Sequence, residues 1–412
     1  MDLLLRNIGL LATPTGNTAR KGDSQGQVTL IENAAVGIEN GTFVYVGSSD
    51  ESLKGGKVID CECRLVTPGL VDAHTHLVFG GWRQKETARK LAGESYLDIL
   101  KSGGGILDTV RHTRAATEAE LYEKSAALLD IMLAHGTTTA ECKSGYGLNV
   151  EDELKQLRVI KKLNKTGKVE LAPTFMGAHA IPSEFTDNRD AYIDLICDET
   201  LPAVQSEGLA DFCDVFCETA AFTPEESRRV LGKAVEYGLI PKAHVDEIDP
   251  IGGAEMAAEM GCISAEHLIR TGGAGIRALE KRGVVACLLP ATSFCLGKGY
   301  ARARDMIEAG VAVAICTDFN PGSSPNLNLQ FPMYLAGLKY RLTPAEALTA
   351  VTLNGAAAIG RCNRAGSIEV GKQADLVIWD APDLDYIFYR YGTNLVRRVI
   401  KKGEVIEINK YV

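Results

Sequence analysis

Long apolar runs are absent from this sequence, and none approaches the roughly 20 residues that a membrane-spanning helix needs. The N-terminus, Met1-Asp2-Leu3, lacks the basic start and apolar core of a secretory signal. We therefore expect no membrane partner and a cytoplasmic location. The composition, with 46% hydrophobic and 24% charged residues, is that of a folded globular protein and argues against disorder.

An excess of basic residues is also missing. Lys and Arg number 44 against 53 Asp and Glu, which gives a formal net charge of -9. Nucleic acids and anionic membranes require a basic face on their partner, so we expect neither to bind. A small anionic substrate would need a dedicated cation inside its site.

A complete cysteine motif for a structural metal is missing as well, because Cys61-Glu62-Cys63 has no second cysteine pair nearby. The eleven cysteines, an odd number, lie scattered from Cys61 to Cys362. A disulfide framework needs an oxidising compartment and paired spacings, so we expect reduced thiols, most of them in the core.

Histidine is scarce, with seven residues in the chain, but its placement is informative. The segment Asp72-Ala73-His74-Thr75-His76 directly follows the apolar run of residues 65–71. Two imidazoles separated by one residue at a strand end point to the same side, so both can bind one divalent metal ion. Taken alone, such a pair also occurs by coincidence. Coincidence does not explain the pair well, because His179, His244 and His267 each end an apolar, strand-like segment too.

Strand-like and helix-like segments alternate from residue 66 onward. The predicted strands cover residues 66–74, 137–142, 169–179, 212–217, 241–244, 263–267, 284–289 and 311–317. The predicted helices cover residues 117–135, 151–165, 190–206, 224–238, 250–260, 271–282, 300–310 and 332–341. Because continuous apolar strands alternating with helices indicate parallel pairing, we predict a (β/α)8 TIM-type barrel, with an open doubly wound sheet as the alternative.

The two ends of the chain have a strand-and-turn pattern instead, with Gly and Asn at the turns. We predict that residues 1–63 and 366–412 together form a small β-sandwich, and that residues 64–365 form the barrel. The polar stretch of residues 13–27 is expected to be a mobile surface loop.

In barrels of this kind the active site lies at the carboxyl ends of the strands, and the histidines are placed there. His74 and His76 end the first predicted strand, His244 the fifth and His267 the sixth, and Asp318 follows the eighth. A set assembled from several strand ends predicts a metal site.

Five sequence blocks, together with the C-terminal segment of residues 366–380, resemble the amidohydrolase superfamily of metal-dependent hydrolases. The blocks are HTHLVFGGWR at 74–83, ECKSGYGL at 141–148, FMGAH at 175–179, HVDEI at 244–248 and TDFNPGS at 317–323. The resemblance spans nearly the whole chain. It implies one divalent metal per subunit, with zinc favoured over iron, and a homodimer. It also implies four metal ligands, namely His74, His76, His244 and Asp318.

Within the superfamily, the resemblance is closest to enzymes that open a ring in histidine degradation. It implies that a metal-activated water attacks the ring amide carbonyl of 4-imidazolone-5-propanoate, which yields N-formimidoyl-L-glutamate. His267, Glu247 and Asp318 are the candidates for proton transfer and for stabilising the oxyanion. Which of them carries each proton is left open by the sequence.

The implied substrate has a carboxylate tail, and Arg83 has the forked donors that suit a carboxylate. The alternative for Arg83 is a surface ion pair with Glu86, and the alternative for Tyr146 is packing. Lys143 is expected to pair with an acid such as Glu141. The other residues that the resemblance places at the substrate are Tyr146, His179, Glu247, Asn320, Gly322 and Ser323.

Two rival functions remain at this point. One is another cyclic amidohydrolase or a deaminase of the same superfamily, acting on a hydantoin, a dihydropyrimidine or an aminated base, because function lies in the loops rather than in the fold. The other is a noncatalytic scaffold that has lost its metal. The presence of Arg83 and Tyr146 argues against a neutral nucleobase, and the complete ligand set argues against the scaffold.

Overall fold

The strands of the computed structural model, which describes residues 1–94, 98, 103–219 and 221–406, fall into two sheets. In chain order the strands are β1 Leu3–Thr13, β2 Thr29–Glu39, β3 Thr42–Ser48, β4 Lys57–Pro68, β5 Leu70–Asp72, β6 Thr137–Lys143, β7 Glu170–Ala178, β8 Phe212–Cys217, β9 Ile240–Val245, β10 Ser264–His267, β11 Val285–Leu288, β12 Val313–Ile315, β13 Leu376–Trp379, β14 Val396–Lys401 and β15 Glu404–Ile406.

Helices follow most of the strands in the central part of the chain. The α-helices are α1 Gln84–Leu91, α2 Ile106–Ala115, α3 Glu118–Ala134, α4 Val150–Asn164, α5 Arg189–Leu195, α6 Leu201–Glu207, α7 Pro224–Glu236, α8 Gly253–Glu259, α9 Gly273–Arg282, α10 Pro290–Leu296, α11 Ala303–Glu308, α12 Gln330–Leu335, α13 Pro344–Ala350, α14 Leu353–Ala358 and α15 Leu384–Tyr389. Short 3-10 helices cover Gly22–Gly26 and Ser183–Phe185, and π-helical turns cover Ile196–Thr200 and Ala336–Tyr340.

Strands β5 to β12 form a barrel of eight parallel strands in sequential order within the described residues. The first and last strands meet just beyond their ends: the His76 N–H donates to the Phe319 carbonyl (2.8 Å) and the Asp318 N–H donates to the His74 carbonyl (3.1 Å). The predicted TIM-type barrel is confirmed, and the alternative of an open sheet is wrong.

Local sequence signals explain why these segments fold as they do. All seven residues of β6 are buried, as expected for a parallel strand covered on both faces. The helices α3, α7 and α13 each begin after a threonine whose hydroxyl accepts from the backbone of a glutamate three residues later, while that glutamate accepts from the threonine N–H. These capping boxes satisfy backbone donors that a helix start leaves unpaired.

The two ends of the chain form one mixed sheet of seven strands within the described residues, in the order β15-β14-β13-β4-β1-β2-β3. The sheet curls around its own apolar core, because the Phe43 N–H donates to the Lys372 carbonyl (3.0 Å) and the Ala374 N–H donates to the Gly41 carbonyl (2.8 Å). The predicted small β-domain, built from both ends of the chain, is therefore present. Residues 407–412 of the predicted C-terminal segment lie outside the described residues.

The polar stretch of residues 13–27, expected to be a mobile surface loop, is anchored to the barrel by one buried side chain. Gln25, in the 3-10 helix Gly22–Gly26, is fully buried at the amino end of β12. Its amide donates to the Val313 carbonyl (3.1 Å) and accepts from the Val313 N–H (3.0 Å). Composition alone does not reveal this anchor, because the partner is a backbone group of a distant strand.

The cysteines and the helices also bear on the sequence predictions. The eleven cysteines all belong to the described residues and are unpaired, and eight of them are buried, as expected. Among the described residues, none of the helices combines the length and the apolar character that crossing a bilayer requires.

Candidate active site

Three imidazoles and one carboxylate converge at the carboxyl end of the barrel. His74 and His76 follow β5, His244 lies near the end of β9, and Asp318 follows β12. The Asp318 Oδ1 atom lies 3.3 Å from His74 Nε2 and 3.6 Å from His76 Nε2. The His76 and His244 Nε2 atoms are 3.4 Å apart. All four side chains are buried.

These separations fit a shared metal ion. Ligand atoms around a tetrahedral zinc at about 2.0–2.1 Å lie about 3.3–3.4 Å from one another, close to the three separations in this site. The buried His74 Nε2 has no hydrogen-bond partner among the described residues, which is the state expected of a ring nitrogen that bonds a metal. Among those residues, two triads bring donor atoms within 4.8 Å of one another: His74 with His76 and His244, and His74 with His267 and Asp318.

The protonation of the imidazoles also suits a metal, because a ligand nitrogen must be neutral. Burial holds the pKa of His74 and of His76 well below the ordinary value, and neighbouring cationic groups act in the same direction. Both rings are therefore neutral at neutral pH, with a lone pair available.

The backbone places Asp318 and His267 in the left-handed region, with φ values of 53° and 68°. Non-glycine residues rarely adopt this conformation, and it concentrates at functional sites. The Thr292 hydroxyl donates to Asp318 Oδ2 (2.6 Å), so Oδ1 is the oxygen that faces His74 and His76. Burial raises the pKa of Asp318 to about 6.

A second pair of ionisable groups lies beside the metal-ligand cluster. His267 Nε2 is 3.7 Å from Glu247 Oε2, and the Glu247 side chain is 17% exposed at the mouth of the barrel. Burial raises the pKa of Glu247 to about 7 and lowers the pKa of His267 to about 3. Near neutral pH, His267 is thus neutral while Glu247 is poised to exchange a proton.

Glu218, which the sequence reasoning did not select as a site residue, holds the loop that carries Glu247. It follows β8, is buried, and accepts from the backbone N–H of Ile248 (2.8 Å) and of Asp249 (3.1 Å). An acid directly after a buried strand was the available signal. Glu218 therefore anchors the backbone immediately after Glu247.

Aromatic rings form one wall of the site. His179 stacks on His76 with ring centroids 5.0 Å apart and an interplanar angle of 18°, and its Nδ1 lies 2.9 Å from the Gly145 carbonyl. The Tyr146 ring lies 5.3 Å from His179 and 5.8 Å from His76. The Tyr146 ring is tilted by 47° to His179 and by 49° to His76, so the three rings line one side of the metal-ligand cluster without lying in one plane.

Arg83 lies in the loop after β5. Its guanidinium pairs with Glu86 through two hydrogen bonds of 3.0 and 2.9 Å, and Glu86 also accepts from the Gly105 N–H (2.7 Å). The pairing with Glu86 that the sequence offered as an alternative is present, but both side chains are largely buried rather than on the surface. Any side chain at position 322 would collide with Arg83 Nη1, so Gly322 is where the guanidinium approaches the loop after β12.

The loop after β12 is shaped by Asn320. Its side-chain oxygen accepts from the N–H groups of Gly322 (2.8 Å) and Ser323 (2.7 Å), and its amide donates to the Asp318 carbonyl (2.7 Å). The predicted substrate residues of this loop thus lie beside Asp318 and Arg83, with the Asn320 amide engaged inside the loop.

Five further charged residues, which we name the interior charge cluster, fill the barrel directly below the metal-ligand cluster, and all five are fully buried. They are Glu141, Lys143, Asp214, Lys242 and Glu266. The expected pairing of Lys143 with Glu141 is confirmed at 2.6 Å. The sequence reasoning missed the roles of Asp214, Lys242 and Glu266, although each interrupts an apolar strand at a position that faces the barrel interior.

Comparison with known proteins defines the class. Residues 65–406 match the model of the amidohydrolase family. An adenosine deaminase from Xanthomonas campestris with bound zinc has a similar fold, with a TM-score of 0.72, 22% identity, and coverage of 98% of this chain and 92% of that chain. An atrazine chlorohydrolase from Arthrobacter aurescens complexed with zinc gives a TM-score of 0.71 at 18% identity, over 98% of this chain and 95% of that chain. Together with the ligand cluster, these findings define a metal-dependent hydrolase.

Two relatives narrow the class. An imidazolonepropionase of Alkaliphilus metalliredigens is 52% identical over 98% of both chains. An imidazolonepropionase of Bacillus velezensis is 51% identical over 98% of this chain and 97% of that protein. The chain belongs to the imidazolonepropionase family of amidohydrolases.

Proposed function

We propose that this protein hydrolyses the ring amide of 4-imidazolone-5-propanoate and releases N-formimidoyl-L-glutamate, a step of histidine degradation. The main support is the cluster of donor atoms around Asp318, whose separations fit a metal ion. His74, His76 and the Arg83 guanidinium all follow the same strand, β5, and Arg83 approaches Gly322 in the loop after β12. The names of the relatives that are 52% and 51% identical to this chain support the same substrate.

The proposed cofactor is one divalent metal ion per subunit, held by His74, His76, His244 and Asp318. When bound, such an ion lowers the pKa of water toward neutrality and polarises a carbonyl. Three imidazoles and a carboxylate suit either zinc or iron. The zinc recorded in the two similar folds favours zinc.

The proposed proton transfers belong to residues at the edge of the ligand cluster. Because His267 is neutral at neutral pH, its ring can donate a hydrogen bond to the oxygen that becomes negative when the ring amide is attacked. Glu247, whose pKa is near 7, can accept the proton that the attacking water loses and deliver it to the departing ring nitrogen. Asp318 Oδ1, directed at the metal position, is the alternative acceptor for the same proton and would deliver it to the same nitrogen.

Substrate binding is assigned to two groups of residues. The rings of Tyr146 and His179 pack against the imidazolone ring, and Arg83 binds the propanoate carboxylate together with the Ser323 hydroxyl. Gly322, whose N–H donates to Asn320, leaves room for the guanidinium beside the substrate. Since the protein carries a formal charge of -9, an anionic substrate depends on such a local cation. Glu86 holds the guanidinium in place before the substrate arrives.

We also propose a homodimer, which the family resemblance supports. The proposed location is the cytoplasm, and among the described residues no helix could cross a membrane.

The test is incubation of the purified protein with freshly made 4-imidazolone-5-propanoate, following the loss of its ultraviolet absorbance with and without a chelator. We expect ring opening that the chelator suppresses and added zinc restores. Hydantoin and guanine serve as comparison substrates that lack the propanoate tail. Faster conversion of either compound would exclude the proposed substrate. Protein that binds no metal on reconstitution and converts none of the three compounds would favour the noncatalytic scaffold.

A further inference from the structure

Two of the proposed metal ligands have their second ring nitrogen against a buried carboxylate. His74 Nδ1 lies 2.7 Å from Glu266 Oε2, and His244 Nδ1 lies 3.0 Å from Asp214 Oδ1. An ionised carboxylate can only accept a hydrogen bond, so a neutral ring facing it must carry its proton on Nδ1. In that tautomer the Nε2 lone pair is directed away from the carboxylate, toward the other ligands.

The other oxygen of each carboxylate is held by an ammonium group. Asp214 Oδ2 lies 2.6 Å from Lys143 Nζ, and Glu266 Oε1 lies 3.3 Å from Lys242 Nζ. Burial by itself would lower the pKa of Lys143, but the Asp214 and Glu141 carboxylates raise it, so its ammonium stays charged. Burial raises the pKa of Glu266, and the ammonium groups of Lys242 and Lys143 counteract that shift.

Glu141 completes the interior charge cluster without touching a ligand. Its Oε1 atom lies 2.6 Å from Lys143 Nζ and 3.1 Å from Lys242 Nζ, and it also accepts from the Thr174 hydroxyl (2.7 Å). The cluster therefore contains three acids and two lysines, and only two of the acids contact an imidazole. Replacing an acid that contacts an imidazole can therefore be compared with replacing one that does not, which distinguishes the effect of buried charge on metal binding from the effect of contact with a ligand.

We propose that Asp214 and Glu266 are positioning residues that fix His244 and His74 in the Nδ1-protonated tautomer, so that both Nε2 atoms face the metal position before the ion arrives. Lys143 and Lys242 hold the other oxygen of each carboxylate, which turns Asp214 Oδ1 and Glu266 Oε2 toward the two rings. The inference rests on the metal site of the proposed function but not on its substrate. Partners of this kind around other metal sites influence ligand orientation and affinity.

Amide variants separate this role from simple packing. In Asp214→Asn, the carbonyl has to face the Lys143 ammonium, which only donates, so the amide NH2 faces His244 Nδ1. Nδ1 must then accept, and the proton moves to Nε2, where it blocks metal binding. The same reasoning applies to Glu266→Gln, whose carbonyl is drawn to Lys242 and to the Ser264 hydroxyl, leaving its NH2 toward His74.

The first measurement needs no variant. NMR of the metal-free full chain with isotope-labelled imidazole nitrogens reports which nitrogen of each ring carries the proton, and the His74→Ala and His244→Ala proteins assign the two signals. We expect Nδ1 protonation of both rings. An Nε2-protonated ring at either position would overturn the proposal for that residue.

The second measurement compares metal affinity by competition with a coloured chelator, using zinc alone as the probe. Asp214→Asn and Glu266→Gln should each weaken zinc binding about 10- to 100-fold, the range found when such partners are removed elsewhere. The matched control is Glu141→Gln, which removes one buried acid from the same cluster but contacts no imidazole. It should leave both tautomers unchanged and weaken zinc binding less than either of the other two variants, because Lys143 and Lys242 keep Asp214 and Glu266 as partners.

Equal weakening in all three variants would mean that the cluster acts only through charge or packing, and it would overturn the proposal. Unchanged affinity in Asp214→Asn and Glu266→Gln would overturn it as well. If the zinc-loaded protein leaves 4-imidazolone-5-propanoate intact while tautomers and affinities behave as stated, the proposed substrate fails and this inference stands.

Discussion

Arg83 and Glu86 form a two-bond ion pair that is buried next to the proposed substrate pocket, with N–O distances of 3.0 and 2.9 Å. The pairing fixes the plane of the guanidinium and leaves Nη1 against Gly322. A fork held in this way is prepared for a second carboxylate, because little side-chain entropy is lost when the substrate arrives.

Replacing Arg83 by alanine should raise KM for 4-imidazolone-5-propanoate by about 10- to 150-fold, since a hydrogen-bonded charge contact contributes about 1.5–3 kcal/mol. The bound metal should stay at the wild-type level. Steady-state kinetics with elemental analysis checks both. The control is Arg111→Ala, which removes the same charge from an exposed position on α2, and an equal rise of KM there would reduce the effect to net charge.

Glu86→Gln tests the orientation of the guanidinium separately from its charge. The amide can still accept one hydrogen bond from Arg83, but the second oxygen and the ionic attraction are lost, so KM should rise by less than in Arg83→Ala. The same kinetic assay measures it. A KM equal to that of the wild type would show that Glu86 does not prepare the clamp.

Glu247 should give the reaction a pH dependence on the acid side. Because its pKa is raised to about 7, it is protonated below that pH and can no longer accept a proton. We expect kcat/KM to fall as the pH decreases below about 7 and to level off above it. Glu247→Gln should lose this limb together with about 100- to 10,000-fold of kcat, the usual contribution of a general base. If kcat/KM of the variant still falls below about pH 7, the decrease belongs to the titration of another group.

His244→Ala should abolish metal retention, because it removes one of the four donors from the cluster. Metal per chain after desalting is the readout. The control is His135→Ala, at the end of α3 and at the opposite end of the barrel, where the ring Nδ1 lies 2.8 Å from the Ile131 carbonyl. Loss of metal in both variants, or in neither, would contradict the assigned ligand.

Much of the fold could be predicted because several barrel strands are short apolar runs that alternate with helical segments. The predicted strand 212–217 matches β8, Phe212–Cys217, and the predicted helix 224–238 differs from α7, Pro224–Glu236, only at its end. The predicted helix 190–206 is correct in position, but the π-helical turn Ile196–Thr200 divides it. Such a turn depends on packing around the helix rather than on its hydrophobic period.

The residues missed by the sequence reasoning are polar groups whose partners are distant in the chain. Gln25 bonds Val313, 288 positions away, and His74 bonds Glu266, 192 positions away. A charged residue inside an apolar strand gives no information about its partner until the barrel brings the strands together. The proposed metal ligands could be predicted from the sequence because histidines are rare and each ligand stands at a strand end.

Titration of the metal-free protein with zinc, while the loss of 4-imidazolone-5-propanoate is followed, shows whether one bound ion is responsible for ring opening. We expect no ring opening without metal and a linear rise of activity that stops at one zinc per chain. We also expect a higher kcat/KM for this substrate than for hydantoin or guanine. Full activity without metal, a break at two ions per chain, or a preference for either comparison substrate would rule out the proposed one-metal hydrolase.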